Sequence, residues 1–430
     1  MFPHQPSTSL IRLSIWLLTL VLSAACQNVT PVATSSVPSS ATSQATPVTA
    51  SLHPIDTLAI PTSTPTPSAL PSAATSMAAT SISAPSTTSA IMPDQPCTPI
   101  DTQWRQVNSL IGFDIHDGVV SRQTCSRLWL VGEQVATTDA GVVLFSEDGG
   151  YTIRTLATFP QAGLWRIGFS DPMTGWVVGV APGGTSDKGK GVLLKSSDGG
   201  LTWEELALPS DVWELNTLEF SSGKVWLGGR GDAGAIVLSS ADGGATWVEV
   251  ALQMSTISAL TAFDSTIMAV GSTGAPYVGA MGTEGAITVS RDNGKIFRRV
   301  SGLGDLTLAT NAVLLNSQQA YVGGYFSSNG HVENGTAILF QTSDSGVSWN
   351  RLPLPAGAVK IVDLLFLSTE RGYGIIDAIQ PIQRKSDGTL TWGQPVSLIP
   401  KPELGVSYLF ASDDGVIYAV GTGGLYRVKP

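Results

Sequence analysis

Six aspartates recur along the chain, Asp148, Asp198, Asp242, Asp292, Asp344 and Asp387, between 43 and 52 residues apart. Carboxylates in such number could bind calcium or act in pairs as general acid and base. Each stands in the same phrase, as in Ser196-Ser197-Asp198-Gly199-Gly200-Leu201-Thr202-Trp203 and Thr342-Ser343-Asp344-Ser345-Gly346-Val347-Ser348-Trp349. Groups that share chemistry must meet in space, and copies a whole repeat apart belong to different structural units. The spacing therefore assigns these aspartates to turns. The side chain accepts backbone N–H bonds of its own turn, glycine supplies the left-handed position, and the aromatic starts the next strand. No catalytic residue is assigned.

Other chemistry is sparse. After residue 97 only His116 and His331 are histidines, and neither H-x-x-x-H nor C-x-x-C occurs, so no metal and no cofactor is expected. G-x-S-x-G and a phosphate-binding glycine loop with its lysine have no fitting context. Arg230-Gly231-Asp232 spells an adhesion tripeptide, yet Gly and Asp are ordinary turn residues. Loop aromatics are the ligand-binding candidates: Tyr277, Tyr325 and Phe326, with His331 beside them. Packing of Tyr325 and Phe326 under their own loop is the equal alternative.

The elements that position these residues follow from the repeat. The aspartate phrase resembles the Asp-box, S-x-D-x-G-x-T-W. An apolar strand ending in or near glycine recurs seven times, as in Gly175-Trp176-Val177-Val178-Gly179 and Ile417-Tyr418-Ala419-Val420-Gly421. Seven such strands against six boxes leave one box strand missing. Thr102–Val107 supplies its counterpart at the start, where Trp104 matches Trp203. The expected fold is all-β: a seven-bladed β-propeller over 97–430 with Asp-box hairpins, closed by its N-terminal strand. Runs such as Leu164–Phe169, Leu215–Phe220 and Ile361–Leu367 are the expected innermost strands. Cys97 and Cys125 bracket that closure and are expected to form a structural disulfide, the alternative being two thiols too far apart.

Ahead of this body the composition changes. All 46 glycines follow residue 97, whereas 13 of the 26 prolines precede it. Residues 1–25 read as a signal peptide, with Arg12 before the apolar run Leu13–Ala25. Leu22-Ser23-Ala24-Ala25-Cys26 resembles a bacterial lipobox, which implies lipidation of Cys26; cleavage by the ordinary signal peptidase is the alternative. Residues 27–96 hold 50 Ser, Thr, Ala or Pro among 70 and only two charges, the composition of a disordered linker. The expected location is outside the cytoplasm, anchored to a membrane at the cell surface or periplasmic face, with membrane contact through the lipid.

The formal net charge is −10, with 22 basic and 31 acidic residues in the body, which excludes a nucleic-acid phosphate binder. Asp-boxes combined with Trp165-Arg166-Ile167-Gly168-Phe169 and Thr174-Gly175-Trp176-Val177-Val178-Gly179 resemble the photosystem II stability/assembly factor family. That resemblance implies an exported seven-bladed, non-catalytic assembly scaffold with a protein partner. The arginine-rich client face of that family has no counterpart cluster here. Sialidases share the box, but their R-I-P phrase is absent, Gly168 standing where proline would be. A glycan-binding module is the alternative to a protein scaffold, and a sialidase-like hydrolase is the lesser one.

Overall fold

The computed structural model describes residues 103–429 apart from 122–125, 136–139, 184–188, 210–211, 275–283, 302, 305, 328–334, 377, 399–404 and 414. The expected signal peptide and linker, Cys26, Cys97, Cys125, Tyr277 and His331 lie outside the described residues.

Strands alone make up the regular structure of the described residues, in seven four-stranded antiparallel sheets. Blade one holds β2 (Phe113–Val120), β3 (Leu128–Gln134), β4 (Ala140–Ser146) and β5 (Arg154–Phe159). Blade two holds β6 (Gly163–Phe169), β7 (Gly175–Ala181), β8 (Lys190–Ser196) and β9 (Glu204–Glu205). Blade three runs from β10 (Val212–Ser221) through β11 (Lys224–Gly231) and β12 (Gly234–Ser240) to β13 (Val248–Ala251). Blade four is β14 (Thr256–Phe263), β15 (Thr266–Ser272), β16 (Gly285–Ser290) and β17 (Arg298–Arg299). Blade five is β18 (Leu308–Leu314), β19 (Ala320–Phe326), β20 (Thr336–Thr342) and β21 (Asn350–Leu352). Blade six is β22 (Asp363–Phe366), β23 (Arg371–Ile375), β24 (Ile379–Arg384) and β25 (Leu390–Trp392). The last sheet joins β26 (Tyr408–Ala411), β27 (Ile417–Gly421) and β28 (Gly424–Val428) to β1 (Arg105–Asn108), in the order β1-β28-β27-β26. Arg105 pairs with Arg427 and Gln106 with Tyr426, so the first strand closes the ring as the sequence predicts. The fold is a seven-bladed β-propeller.

Burial explains the composition of each strand. The second and third strands of a blade are covered on both faces by neighbouring blades, so β3, β4, β7, β15 and β27 read as near-continuous apolar runs. Seven apolar clusters result, one per seam between blades. In the seam between blades one and two, Trp129, Val131, Val143 and Phe145 face Leu164, Ile167, Val177 and Leu194. Each such side chain stabilises the seam by about 1.5–3 kcal/mol. The outermost strands are short and exposed, and β9 and β17 consist only of Glu204–Glu205 and Arg298–Arg299. Paired like charges on a two-residue edge discourage another strand from adding to it.

The glycine that ends the second strand has a steric cause. In five blades the innermost strand bulges opposite it, and the register skips one residue, as between Leu164 and Arg166. A Cβ on Gly179 would collide with the Gly163 carbonyl oxygen, and one on Gly271 with that of Thr256.

Each Asp-box closes the hairpin between the third and fourth strands. Ser146 Oγ donates to Asp148 Oδ1 at 2.8 Å and accepts the Gly150 N–H at 2.8 Å. Thr152 donates its N–H to Asp148 Oδ1 at 2.9 Å and its hydroxyl to Oδ2 at 2.7 Å. Asp198, Asp242 and Asp344 repeat the pattern. Asp292 lacks the hydroxyl partner because Ile296 replaces threonine, and Asp387 holds only Thr389. The boxes also tie to the first hairpin of their own blade, Gly199 N–H donating to Met173 O and Ser345 N–H to Gln318 O. Box turns and first hairpins therefore share one face of the propeller.

Two outcomes follow from this packing. Gly179→Ala is expected to destabilise the protein by about 1–3 kcal/mol through overpacking at the bulge, read as a lower thermal midpoint. Donors from Thr246 and Ser240 hold Asp242 down at about 2, and Ser348 and Thr342 hold Asp344 down at about 2. A carboxylate depressed in the folded state contributes stability that is present above its unfolded pKa and lost as pH falls through the folded one. Chemical denaturation followed from pH 5 to pH 2 should show that loss, and it should be smaller in the Asp242→Asn, Asp344→Asn protein.

Candidate functional site

The opposite face carries the start of every innermost strand and the connections between second and third strands. Seven inner strands, β2, β6, β10, β14, β18, β22 and β26, contact one another in sequence, and β26 returns to β2, so they form a closed ring around the propeller axis. Pairing with the second strand defines equivalent positions on them. Asp117, Arg166, Thr217, Ala259, Asn311, Asp363 and Tyr408 pair with Val131, Val178, Gly228, Val270, Gly323, Ile375 and Val420, and make one tier. Two residues further, the next tier holds Val119, Gly168, Glu219, Thr261, Val313, Leu365 and Phe410.

Most polar side chains of these tiers bridge from one blade to the next. Ile167 N–H donates to Asp117 Oδ2 at 3.0 Å, and Leu409 N–H to Asp363 Oδ2 at 2.8 Å. Asn311 Nδ2 donates to Asp363 Oδ1 at 3.0 Å, and Leu314 N–H to Thr261 Oγ1 at 3.3 Å. One tier above, Asn216 Nδ2 donates to Ile257 O at 2.7 Å, and His116 Nδ1 lies 2.8 Å from Leu164 O. The His116 ring stacks on Trp165 with centroids 4.3 Å apart. Arg166 Nη1 donates to Trp165 O at 2.9 Å and to His116 O at 3.4 Å, while its guanidinium covers the Tyr408 ring at 5.0 Å.

The electrostatics here run opposite to those of the boxes. Burial pushes Asp117 up to about 6, against the pull of Arg166 and of the Ile167 and Gly118 amides. Burial pushes Glu219 up to about 8, Asp117 adds to the rise, and the Phe220 amide and Arg166 oppose it. Asp363 is raised by burial despite the Leu409 amide and Arg166. For Arg166, burial is outweighed by Tyr408, Asp117 and Asp363, so the guanidinium is held in its charged form. Glu219 makes no ion pair with another described residue.

The residues singled out from sequence fall elsewhere. The six box aspartates sit on the other face, each occupied by its own turn. Tyr325 is the penultimate residue of β19 on the axial-opening side, but it is buried at 5% exposure, and burial pushes its hydroxyl up to about 12. Phe326, the next residue, turns outward at 38% exposure. Arg230-Gly231-Asp232 is tied into its own blade: Trp213 Nε1 donates to Asp232 Oδ1 at 2.7 Å, and Arg230 lies 3.7 Å from Glu214. Asp117, Arg166, Glu219 and Asp363 escape motif reasoning because no two are close in sequence. Aligning the inner strands on the Val-Gly of the second strand would bring them to light, as the few charges in otherwise apolar alternation.

Comparison with known proteins addresses the family. Residues 154–301 match the sequence model described as photosynthesis system II assembly factor YCF48. That part of the chain resembles photosystem II assembly factor-like propellers. A solved structure of YCF48 bound to D1 peptide superimposes with a TM-score of 0.53 at 15% identity, covering 78% of this chain and 99% of that one. YCF48 from Cyanidioschyzon merolae gives 0.50 at 13% identity, over 76% of this chain and 98% of that one. An ancestral GH74 enzyme gives 0.54 at 12% identity, over 76% of this chain but 46% of that one. At these identities the superpositions establish a shared fold. No curated protein matches the chain.

Because Glu219 is raised in the folded state, its contribution to stability is present below its unfolded pKa and is lost as pH rises from about 4.5 through about 8. Glu219→Gln removes that loss. Its thermal midpoint should match the parent near pH 5 and exceed it near pH 9, a difference read directly from paired melting curves.

Proposed function

We propose that this protein is an exported, lipid-anchored scaffold that binds a protein partner at the outer face of a membrane and carries out no covalent chemistry. One observation carries the reading: the propeller is of the assembly factor-like kind, and a YCF48 of the same fold has been captured with a peptide bound. The geometry fits it. The conspicuous carboxylates of the repeat are engaged in their own turns, and the varied surface lies around the axial opening, where connections are free of the repeat's demands. On that side Phe326 presents an outward ring, and Trp165 and Trp213 are half-buried at or near the starts of β6 and β10. Aromatic anchors with a charged surround suit a protein contact. Lipidation at Cys26 and the linker 27–96 would hold that face away from the bilayer, within reach of a membrane-embedded client.

Glycan binding is the second reading, favoured by the GH74 superposition and by the same aromatic rings, which would stack on sugars. The deciding experiment is cross-linking of the full-length protein in its native membranes, followed by affinity capture. A recurrent protein partner, weakened several-fold by Phe326→Ala, is the expected result. Envelope polysaccharide released by free sugar, in place of protein, would overturn the scaffold reading.

A further inference from the structure

Seven inner strands occupy seven equivalent places, so each serves as a control for the others. In the tier that holds Glu219, the remaining blades carry Val119, Gly168, Thr261, Val313, Leu365 and Phe410. Six seams are thus built without a charge at this point, and the fold does not require one. A carboxyl group there that forms no ion pair opposes folding when ionised, burial outweighing the pull of Arg166. Residues that oppose stability without structural necessity concentrate where a protein binds or reacts.

The donors and acceptors around the axis point to what is missing. Arg166 is the sole cation of the two tiers; its Nη1 is directed to Trp165 O and His116 O, and the guanidinium also engages Tyr408, Asp117 and Asp363. Asp363 is occupied by the Leu409 and Leu364 amides and by Asn311. Three further buried oxygens on the inner strands have no hydrogen-bond partner among the described residues: Asn216 Oδ1, Thr217 Oγ1 and Asn311 Oδ1. Thr217 is only 3% exposed, and Asn311 is the residue whose amide nitrogen holds Asp363. With Asp117 and Glu219 ionised, the wall has a surplus of acceptors and of negative charge, with too few donors to meet it. An alkylammonium group is the complementary ligand, since it brings three donors, one positive charge and no acceptor. A divalent metal is a poorer match, because among the described residues no three His, Cys, Asp or Glu groups converge as its ligands would.

We propose that the axial ring receives the ammonium group of a lysine side chain presented by a protein partner, with Glu219 and Asp117 as its counter-charges. This deepens the protein-binding reading above and rests on it. The ionisable groups around the place are Asp117 and His116 of β2, Arg166 of β6, Glu219 of β10, Asp363 of β22 and Tyr408 of β26. β14 and β18 add only Ala259, Thr261, Asn311 and Val313 to the two tiers, none of which titrates. Arrival of the cation favours the ionised form of Glu219, so binding releases a proton and tightens between about pH 6 and about pH 8.

The test titrates the full-length protein with a short peptide carrying one central lysine and with its acetyl-lysine twin, by calorimetry in buffers of different ionisation heat. The lysine peptide should bind at least ~10-fold tighter than its twin, the gain of a charge-assisted contact. Glu219→Gln should abolish the difference and the proton release while retaining a thermal midpoint at least equal to the parent's. Equal binding of the two peptides, or a preference unchanged in Glu219→Gln, would overturn the proposal. So would calcium alone stabilising the parent but not Glu219→Gln, which would make the ring a metal site. Capture of the same membrane partner by parent and Glu219→Gln alike would remove the lysine contact and leave the scaffold reading standing. Failure to capture any partner, with the peptide preference intact, would do the reverse.

Discussion

No blade of this protein can exist alone. Each sheet is apolar on both faces, and β3, β4, β15 and β27 have scarcely a solvated side chain between them. A four-stranded sheet of that composition must be covered twice, and only a closed ring of like sheets covers every one. Everything else is subordinate to that demand. The boxes stop each hairpin at a fixed length, the second-strand glycine lets the bulged inner strand approach, and β1 completes the last sheet so that no uncovered apolar face remains.

Repetition also separates what the ring needs from what it merely tolerates. Asp148, Asp198, Asp242 and Asp344 recur with the same partners, and their ionised forms favour folding. Asp117 and Asp363 hold one position in two blades and Glu219 stands alone in its tier, and the ionised forms of all three oppose it. Two populations of carboxylate in one chain thus respond to pH in opposite directions. The repeated ones are architecture. The others are gathered at the axis, where inner strands from different blades come close enough for single substitutions to act together.

The architecture was legible in the sequence because its signals are local. A box is eight consecutive residues, and a buried second strand is a run such as Leu128–Val131. Even the closure could be read, since Trp104 stands where Trp203 stands in its own repeat. The axial ring was not legible. Asp117 and Glu219 are a hundred residues apart, and their adjacency depends on register, bulges and ring closure together. Tyr325 shows the complementary limit: a tyrosine followed by an outward-facing phenylalanine reads as a pair of loop aromatics, although strand alternation turns the two to opposite sides.

The order β1-β28-β27-β26 places β1 on the outer rim of the last sheet. That has a mechanical consequence. Any tension carried by the chain ahead of Gln103 enters the domain through a four-residue strand held by β28 alone, and that strand is also what keeps the ring shut. Force on that chain and integrity of the ring are coupled at one short strand pair.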